Sequence, residues 1–178
     1  MKEETALIFI GGAGINVAKS KYSASLLEKR PFWVIDSDRE RIDAFPSDNS
    51  LYLGEVHSVQ DAIDNIIRVE NKLKEILSHF KQIKVIGGLG GLTATGAIVG
   101  LAKLAHSLDV SVTVMVFTPF LFEGKRCESI TAQAINDLRQ YVDKLVILKN
   151  KAKGSPNMKL SDFFGQQTQK LIGELFID

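Results

Sequence analysis

Apolar positions along the chain fall into two alternating patterns. Short continuous runs at Ala6–Ile10 (ALIFI), Phe32–Ile35 (FWVI) and Leu145–Leu148 predict buried parallel strands, the first ending at Gly11-Gly12, and Ile83–Ile86 (IKVI) is read as a strand as well. The β-branched, alternating stretch Val110–Phe117 (VSVTVMVF) predicts another, and Leu51–Leu53 a short edge strand. Between the runs, apolar residues recur every three or four positions, which predicts helices. The expected spans are Ile15 to about Lys29, Ser58 to Phe80, a helix ending near Ser107, Gly124–Tyr141, and Leu160–Ile177 begun by Ser161 or Asp162. The longest of these carries Val59, Ala62, Ile63, Ile66, Leu73, Leu77 and Phe80 on one face, with Ser58 and Asp61 as a capping pair. Strands alternating with helices, with glycine at strand ends, predict an α/β fold with one doubly wound, mostly parallel, Rossmann-like sheet. The site is expected at the carboxyl ends of its strands.

Composition narrows the picture. The 178 residues fit one domain spanning 1–178, and 45% hydrophobic with 24% charged residues is a globular composition. Net charge is +1, from 22 basic and 21 acidic residues, which gives no footing for nucleic acid or an anionic membrane as main partner. Cys127 stands alone, so no intramolecular disulfide is expected and a reducing compartment fits. The start, MKEETALIFIGGAG, lacks the basic region and long apolar core of a secretory signal. No run approaches the ~20 apolar residues of a membrane span. A cytoplasmic location without membrane insertion is therefore expected. Lys149–Pro156 is the one linker-like stretch. His57, His79 and His106 are scattered, and no metal site is expected.

Candidate chemistry gathers at two glycine clusters, Gly11-Gly12-Ala13-Gly14 and Gly87-Gly88-Leu89-Gly90-Gly91, each after a strand and before a helix. Glycine lets backbone N–H groups approach an anion, and a helix N-terminus adds partial positive charge. Thr93 and Thr95 put hydroxyls at the same point and are candidate N-caps. A lone cluster reads as a tight turn; two in one sheet point to a phosphate or nucleotide. No Lys-Ser/Thr follows either cluster, so neither is a Walker loop, and Val17 interrupts the dinucleotide spacing.

These residues resemble the FtsZ/tubulin family. GGAGIN (Gly11–Asn16) is similar to its first loop, GLGGLTATGA (Gly88–Ala97) to its signature GMGGGTGTGA, and VTVMVFTPFLFEGKR (Val112–Arg126) to VTVAVVTKPFxFEGxKR. INDLRQYVDKLVILKN (Ile135–Asn150) and LSDFFG (Leu160–Gly165) resemble later family segments, in order and properly spaced. The resemblance implies a site for GTP or GDP. In it Gly11, Gly12, Gly14 and Asn16 meet phosphates and base, Asp36 lies in the loop after the second strand, and Gly88, Gly90, Gly91, Leu92, Thr93, Ala94 and Thr95 form the phosphate cradle. Glu123 matches a ribose-contacting Glu, Phe164 the aromatic that stacks on guanine, Arg126 and Cys127 the position of a family Arg, and Thr168 with Gln169 the pair that reads the guanine edge.

The departures from the family fall on that site. Leu92 and Ala94 replace signature glycines, and leucine is expected to resist positive φ and to crowd the phosphates. Arg126 stands one position early, a rotation of ~100° on a helix. GEVHS replaces a glycine-rich loop over the third phosphate, and the sequence reaches Asp178 before the acidic loop and second domain of the family. The expectation is a reduced, degenerate guanine-nucleotide site with no catalytic residue of its own. The protein then acts through contacts with an FtsZ-like filament or as a homo-oligomer, in cell division or a bacterial cytoskeleton. Two alternatives stand beside it: a GTPase completed by a partner chain, and a Rossmann-type dinucleotide-binding protein with Asp36 as its ribose acid. Glu123, Asp36 and Asp38 also read as helix caps, and Cys127 as a quiet cysteine at a helix start.

Overall fold

Six strands form one sheet in the order β3-β2-β1-β4-β5-β6, every pairing parallel. The computed structural model describes residues 3–150 and 160–175. Along the chain the elements are β1 (Glu3–Ile10), α1 (Gly11–Lys19), α2 (Ala24–Leu27), β2 (Phe32–Asp36), α3 (Arg39–Ile42), β3 (Ser50–Tyr52), α4 (Val59–Arg68) and α5 (Glu70–Leu77). There follow β4 (Phe80–Gly88), α6 (Leu92–Ser107), β5 (Ser111–Phe117), α7 (Lys125–Leu138), β6 (Lys144–Leu148) and α8 (Leu160–Leu175). The chain winds outward from β1 to β3, then crosses back to β4 and winds outward to β6. The order therefore reverses between β1 and β4, where ligands of open α/β sheets bind. Ile10 pairs with Gly87 across that junction, so the two glycine clusters leave the sheet side by side.

Strand alternation divides the core between the two faces. Ala6, Ile8 and Ile10 of β1, with Val85 and Val114, pack against Ile66, Leu73, Ile98, Leu101 and Leu138 of α4 to α7. Leu7 and Phe9, with Ile86 and Met115, pack against Ile15 and Val17 of α1 and Leu171, Ile172 and Leu175 of α8. Helices thus cover both faces, and apolar residues occupy both sides of the strands because both sides are buried. On the α8 side one polar anchor joins the apolar ones: Lys84, buried in β4, donates from Nζ to the Leu175 carbonyl at 2.9 Å.

Two helices differ from the sequence expectation. The helix expected from Ser58 to Phe80 is two helices, parted at Val69 (φ −101°, ψ 10°), and Phe80 opens β4 instead of closing a helix. There its ring meets Trp33 edge-on at 5.6 Å. The helix expected from Ile15 to Lys29 starts at Gly11, straight off β1, and breaks after Lys19, where the buried Ser23 hydroxyl donates to the Val17 carbonyl. The start of α4 is as expected. Ser58 Oγ accepts from Asp61 N at 3.0 Å, and the Asp61 carboxylate accepts from His57 N at 2.9 Å. α8 opens at Leu160, ahead of Ser161 and Asp162. Most of the Lys149–Pro156 linker lies outside the described residues. Among the described residues no helix is long and apolar enough to cross a membrane.

Candidate functional site

At the β1/β4 junction the first turns of α1 and α6 open into one cavity of about 390 Å³. α1 follows Ile10 without a loop because Gly11 takes φ +70°, a conformation that side-chain-bearing residues rarely adopt. α6 follows Gly90 (φ +102°), with Gly91 as N-cap. Among the described residues no side chain caps either helix, and neither first turn carries an acid. Thr93 and Thr95 are not the caps expected of them. Thr95 Oγ1 accepts from Gly90 N at 3.0 Å, and the Thr93 hydroxyl pairs with the Ser37 hydroxyl at 2.8 Å. Helix N-terminal N–H groups have no partner within the helix, so two sets of bare donors converge on one space.

The rim of the cavity is charged. Asp36, at the end of β2, has a side chain only 2% exposed, and its carboxylate accepts from Ser37 N at 2.7 Å and from Arg41 Nη1 at 3.2 Å. Arg41, from α3, also reaches Asp38 with Nε at 3.3 Å. A Cβ on Gly12 would lie 2.9 Å from Arg41 Nη1, so the guanidinium rests directly on the α1 N-terminus. Asp38 caps α3 by accepting from Glu40 N and Arg41 N, whereas Asp36 caps nothing. On the opposite rim the Glu123 carboxylate accepts from Phe120 N at 2.7 Å, folded onto its own turn.

A second cavity, of about 480 Å³, adjoins the first and shares Ala13, Phe117, Asn150 and Phe164 with it. Asn16, Gly165 and Thr168 complete much of its lining. Phe164 stands edge-on to Phe120, with ring centroids 5.6 Å apart. Asn150, just past β6, is buried, and its Oδ1 has no hydrogen-bond partner. A buried acceptor without a partner is an expensive arrangement, and Asn150 is a residue that lines both cavities. Beside this space Leu121 and Phe122 are 81% and 78% exposed.

Of the residues singled out in the sequence, Gly11, Gly12, Asp36, Gly88, Gly91, Leu92, Thr93, Ala94, Glu123 and Phe164 line the first cavity. Asn16, Phe164 and Thr168 line the second. Gly14 lines neither: a Cβ there would meet the Ile86 carbonyl, so it sets the close approach of α1 to β4. Gly90 and Thr95 shape the turn into α6 from behind. Arg126 is exposed on the first turn of α7 and Cys127 half-buried beside it, and neither lines a cavity. The backbone argument against Leu92 does not hold. Leu92 and Ala94 lie within α6, and Asp109 is the one described non-glycine residue with positive φ. What Leu92 brings to the cavity is side-chain bulk alone. Arg41 and Asn150 carry no site role in the sequence reading. For Asn150 the available signal was a polar residue directly beyond a strand's carboxyl end. Among the described residues no group of three or more His, Cys, Asp or Glu gathers as a metal site would require.

Comparison with known proteins agrees with this geometry. The family model for the Tubulin/FtsZ family, GTPase domain, matches residues 4–153. The cell division protein FtsZ of Haemophilus influenzae is 36% identical over 98 residues, covering 53% of this chain and 23% of its own. FtsZ of Rickettsia bellii is 26% identical over 158 residues, covering 84% of this chain and 34% of its own. Among solved structures, an empty FtsZ dimer from M. jannaschii matches with a TM-score of 0.84 at 21% identity, over 98% of this chain and 54% of that one. The chain thus spans less than half the length of these curated relatives.

Proposed function

Because the chain belongs to the Tubulin/FtsZ family through its GTPase domain, we propose that it binds a guanine nucleotide across the two joined cavities and does not hydrolyse it unaided. The phosphates lie in the first cavity and the base in the second, against Phe164 and beside Thr168. One observation carries the reading: α1 and α6 present uncapped, acid-free first turns to the same space. Such N-termini bind phosphate through backbone N–H groups and the helix dipole. The unpartnered Oδ1 of Asn150, a residue that lines both cavities, supports it: a turn of that side chain would offer the acceptor to a hydroxyl or N–H of the ligand.

Hydrolysis needs a group that positions and activates water. Asp36 is paired with Arg41 and Glu123 is folded onto Phe120 N, so neither carboxylate that lines the cavity is disposed to serve. The product diphosphate binds at least as well as the triphosphate. The protein then acts through protein contacts in cell division or a related cytoskeletal process, docking on an FtsZ-like filament or on its own kind. The exposed Leu121 and Phe122, joined through Phe120 to the part-exposed Phe164, support this, because a contiguous exposed apolar patch marks a contact surface.

Calorimetric titration with GDP, GTP and NAD tests the reading, with Gly91→Asp as the decisive variant. Nothing lies within 4 Å of a Cβ built on Gly91, so aspartate fits. It caps α6 but sets a negative charge against the phosphates. GDP affinity falls at least tenfold, a change of ~1.4 kcal/mol, while thermal stability is kept or raised. Unchanged GDP binding in that variant, a preference for NAD, or steady phosphate release from GTP each contradicts the proposal.

A further inference from the structure

Arg41 is the cavity residue that no motif explains. We propose that it is the protein's ligand for the terminal phosphate of a bound guanosine diphosphate, supplying the positive charge there so that binding needs no divalent cation. This rests on the nucleotide reading of the same cavity. The guanidinium lies over Gly12, the second residue of α1, with Nη1, Cζ and Nη2 at 2.9, 3.3 and 3.7 Å from the point a Cβ would occupy. A side chain at Gly12 would displace the guanidinium from this seat. An anion held by the bare N–H groups of that turn lies within reach of the guanidinium.

The two carboxylates that hold Arg41 are unequal. Asp36 is buried on the cavity wall, and unpaired it would repel a phosphate; Arg41 neutralises it through Nη1. Asp38 is exposed, and so is half of the Arg41 side chain. An exposed ion pair of that kind is weak and exchanges readily, whereas a guanidinium fork on phosphate makes two parallel charge-assisted bonds. Arg41 therefore has one fixed partner and one exchangeable latch. The buried, unpartnered Oδ1 of Asn150, a residue of the cavity wall, is a second, independent sign that the cavity is built around a polar ligand.

If Arg41 serves only to neutralise Asp36, its loss weakens every ligand alike. If it holds the terminal phosphate, its loss separates the diphosphate from the monophosphate. The experiment is calorimetric titration of the full chain with GDP and GMP, with magnesium and with excess chelator. Wild type binds GDP equally in both buffers. Arg41→Gln loses about tenfold or more in GDP affinity and clearly less in GMP affinity, which falls only through the uncovered charge of Asp36. Asp38→Asn keeps the α3 cap, since asparagine caps as well as aspartate. It releases the latch and raises GDP affinity about threefold without affecting GMP. That second variant decides the matter if Arg41→Gln fails to fold. Equal losses for GDP and GMP, no gain in Asp38→Asn, or loss of wild-type GDP binding in chelator each overturns the role of Arg41 while leaving the nucleotide site standing. Absence of any GDP or GMP binding by wild type removes both readings together.

Discussion

α4 and α6 lie against each other, packed so closely that a Cβ on Gly96 would come within 2.6 Å of Ala62 Cβ and nearer still to the Val59 carbonyl. Their N-termini are nonetheless built in opposite ways. α4 has the Ser58 side chain on Asp61 N and the Asp61 carboxylate on His57 N. α6 starts at Gly91 with no capping side chain and no acid. A Ser, Asp or Asn cap contributes roughly 1 kcal/mol, and that stabilisation is present on the helix away from the cavity and forgone on the helix that faces it. α1, the other helix that faces the cavity, forgoes it too. Among the described helices of eight or more residues, these two alone lack both a side-chain cap and a first-turn acid. What stabilises a helix start also occupies the donors an anion would use. The contrast between neighbours is therefore more informative than either helix alone.

The largest way to break the comparison is to force the two helices apart. Gly96→Ala drives a methyl into α4 and should cost about 2–3 kcal/mol in urea unfolding, with a parallel loss of GDP affinity as the α6 first turn shifts. A cost within error of zero means that the helices yield, and their packing does not fix the cavity. Next, Ser58→Ala removes the α4 cap and should lose about 1 kcal/mol by thermal unfolding, with GDP titration unchanged. The mirror substitution, Gly91→Asp, should gain about 0.5 kcal/mol in the same assay. If both substitutions destabilise, the α6 start was not short of a cap.

The smallest effect is an acid sensitivity at the start of the capped helix. The His57 backbone N–H, and then the Ser58 hydroxyl, hold the Asp61 carboxyl below its ordinary value. A depressed folded pKa means that its stabilisation is present above the unfolded value of about 3.9. It is lost as pH falls through the lower folded value. Asp61→Asn should therefore flatten the acid limb of the unfolding curve while leaving the cavity's ligand affinity at neutral pH unaltered. A wild-type acid limb in that variant would assign the sensitivity to other groups, Asp143 first. There the Val112 backbone N–H and the Ser111 hydroxyl hold the carboxyl low in the same way.

Much of this was legible in the sequence because it follows from burial. β1, β4 and β5 are covered on both faces, so apolar residues fall on both sides of each strand, unbroken over Ala6–Ile10 of β1. The sheet order follows from strand–helix alternation, and the cavity from two glycine clusters at strand ends. The misses have local causes. Leu77 and Phe80 keep helical spacing although the chain turns between them, since a residue facing the core satisfies either period. Val69 breaks the helix by its backbone angles, which leave no trace in hydrophobicity. Leu92 was expected to strain the loop because the loop was expected to continue, whereas α6 had already begun. Arg41 reads as one charge of a surface turn. Only the return of α3 over Gly12, a contact across 29 positions of chain, makes it part of the cavity.

The Lys84 anchor has a consequence for α8. That helix carries Phe164 and Thr168 on the wall of the second cavity at its start, and at its end the Leu175 carbonyl receives the ammonium of Lys84 from the middle of the sheet. Phe164 and Leu175 lie about 16 Å apart, at 1.5 Å per residue, and a rigid rod between them makes docking of the helix and closing of the cavity one event. Whatever fills the cavity should then slow the exchange of amide hydrogens throughout α8, including its far turn, which no ligand touches. Loosening Lys84 should in turn weaken the ligand by the same free energy, because linkage between two sites is reciprocal.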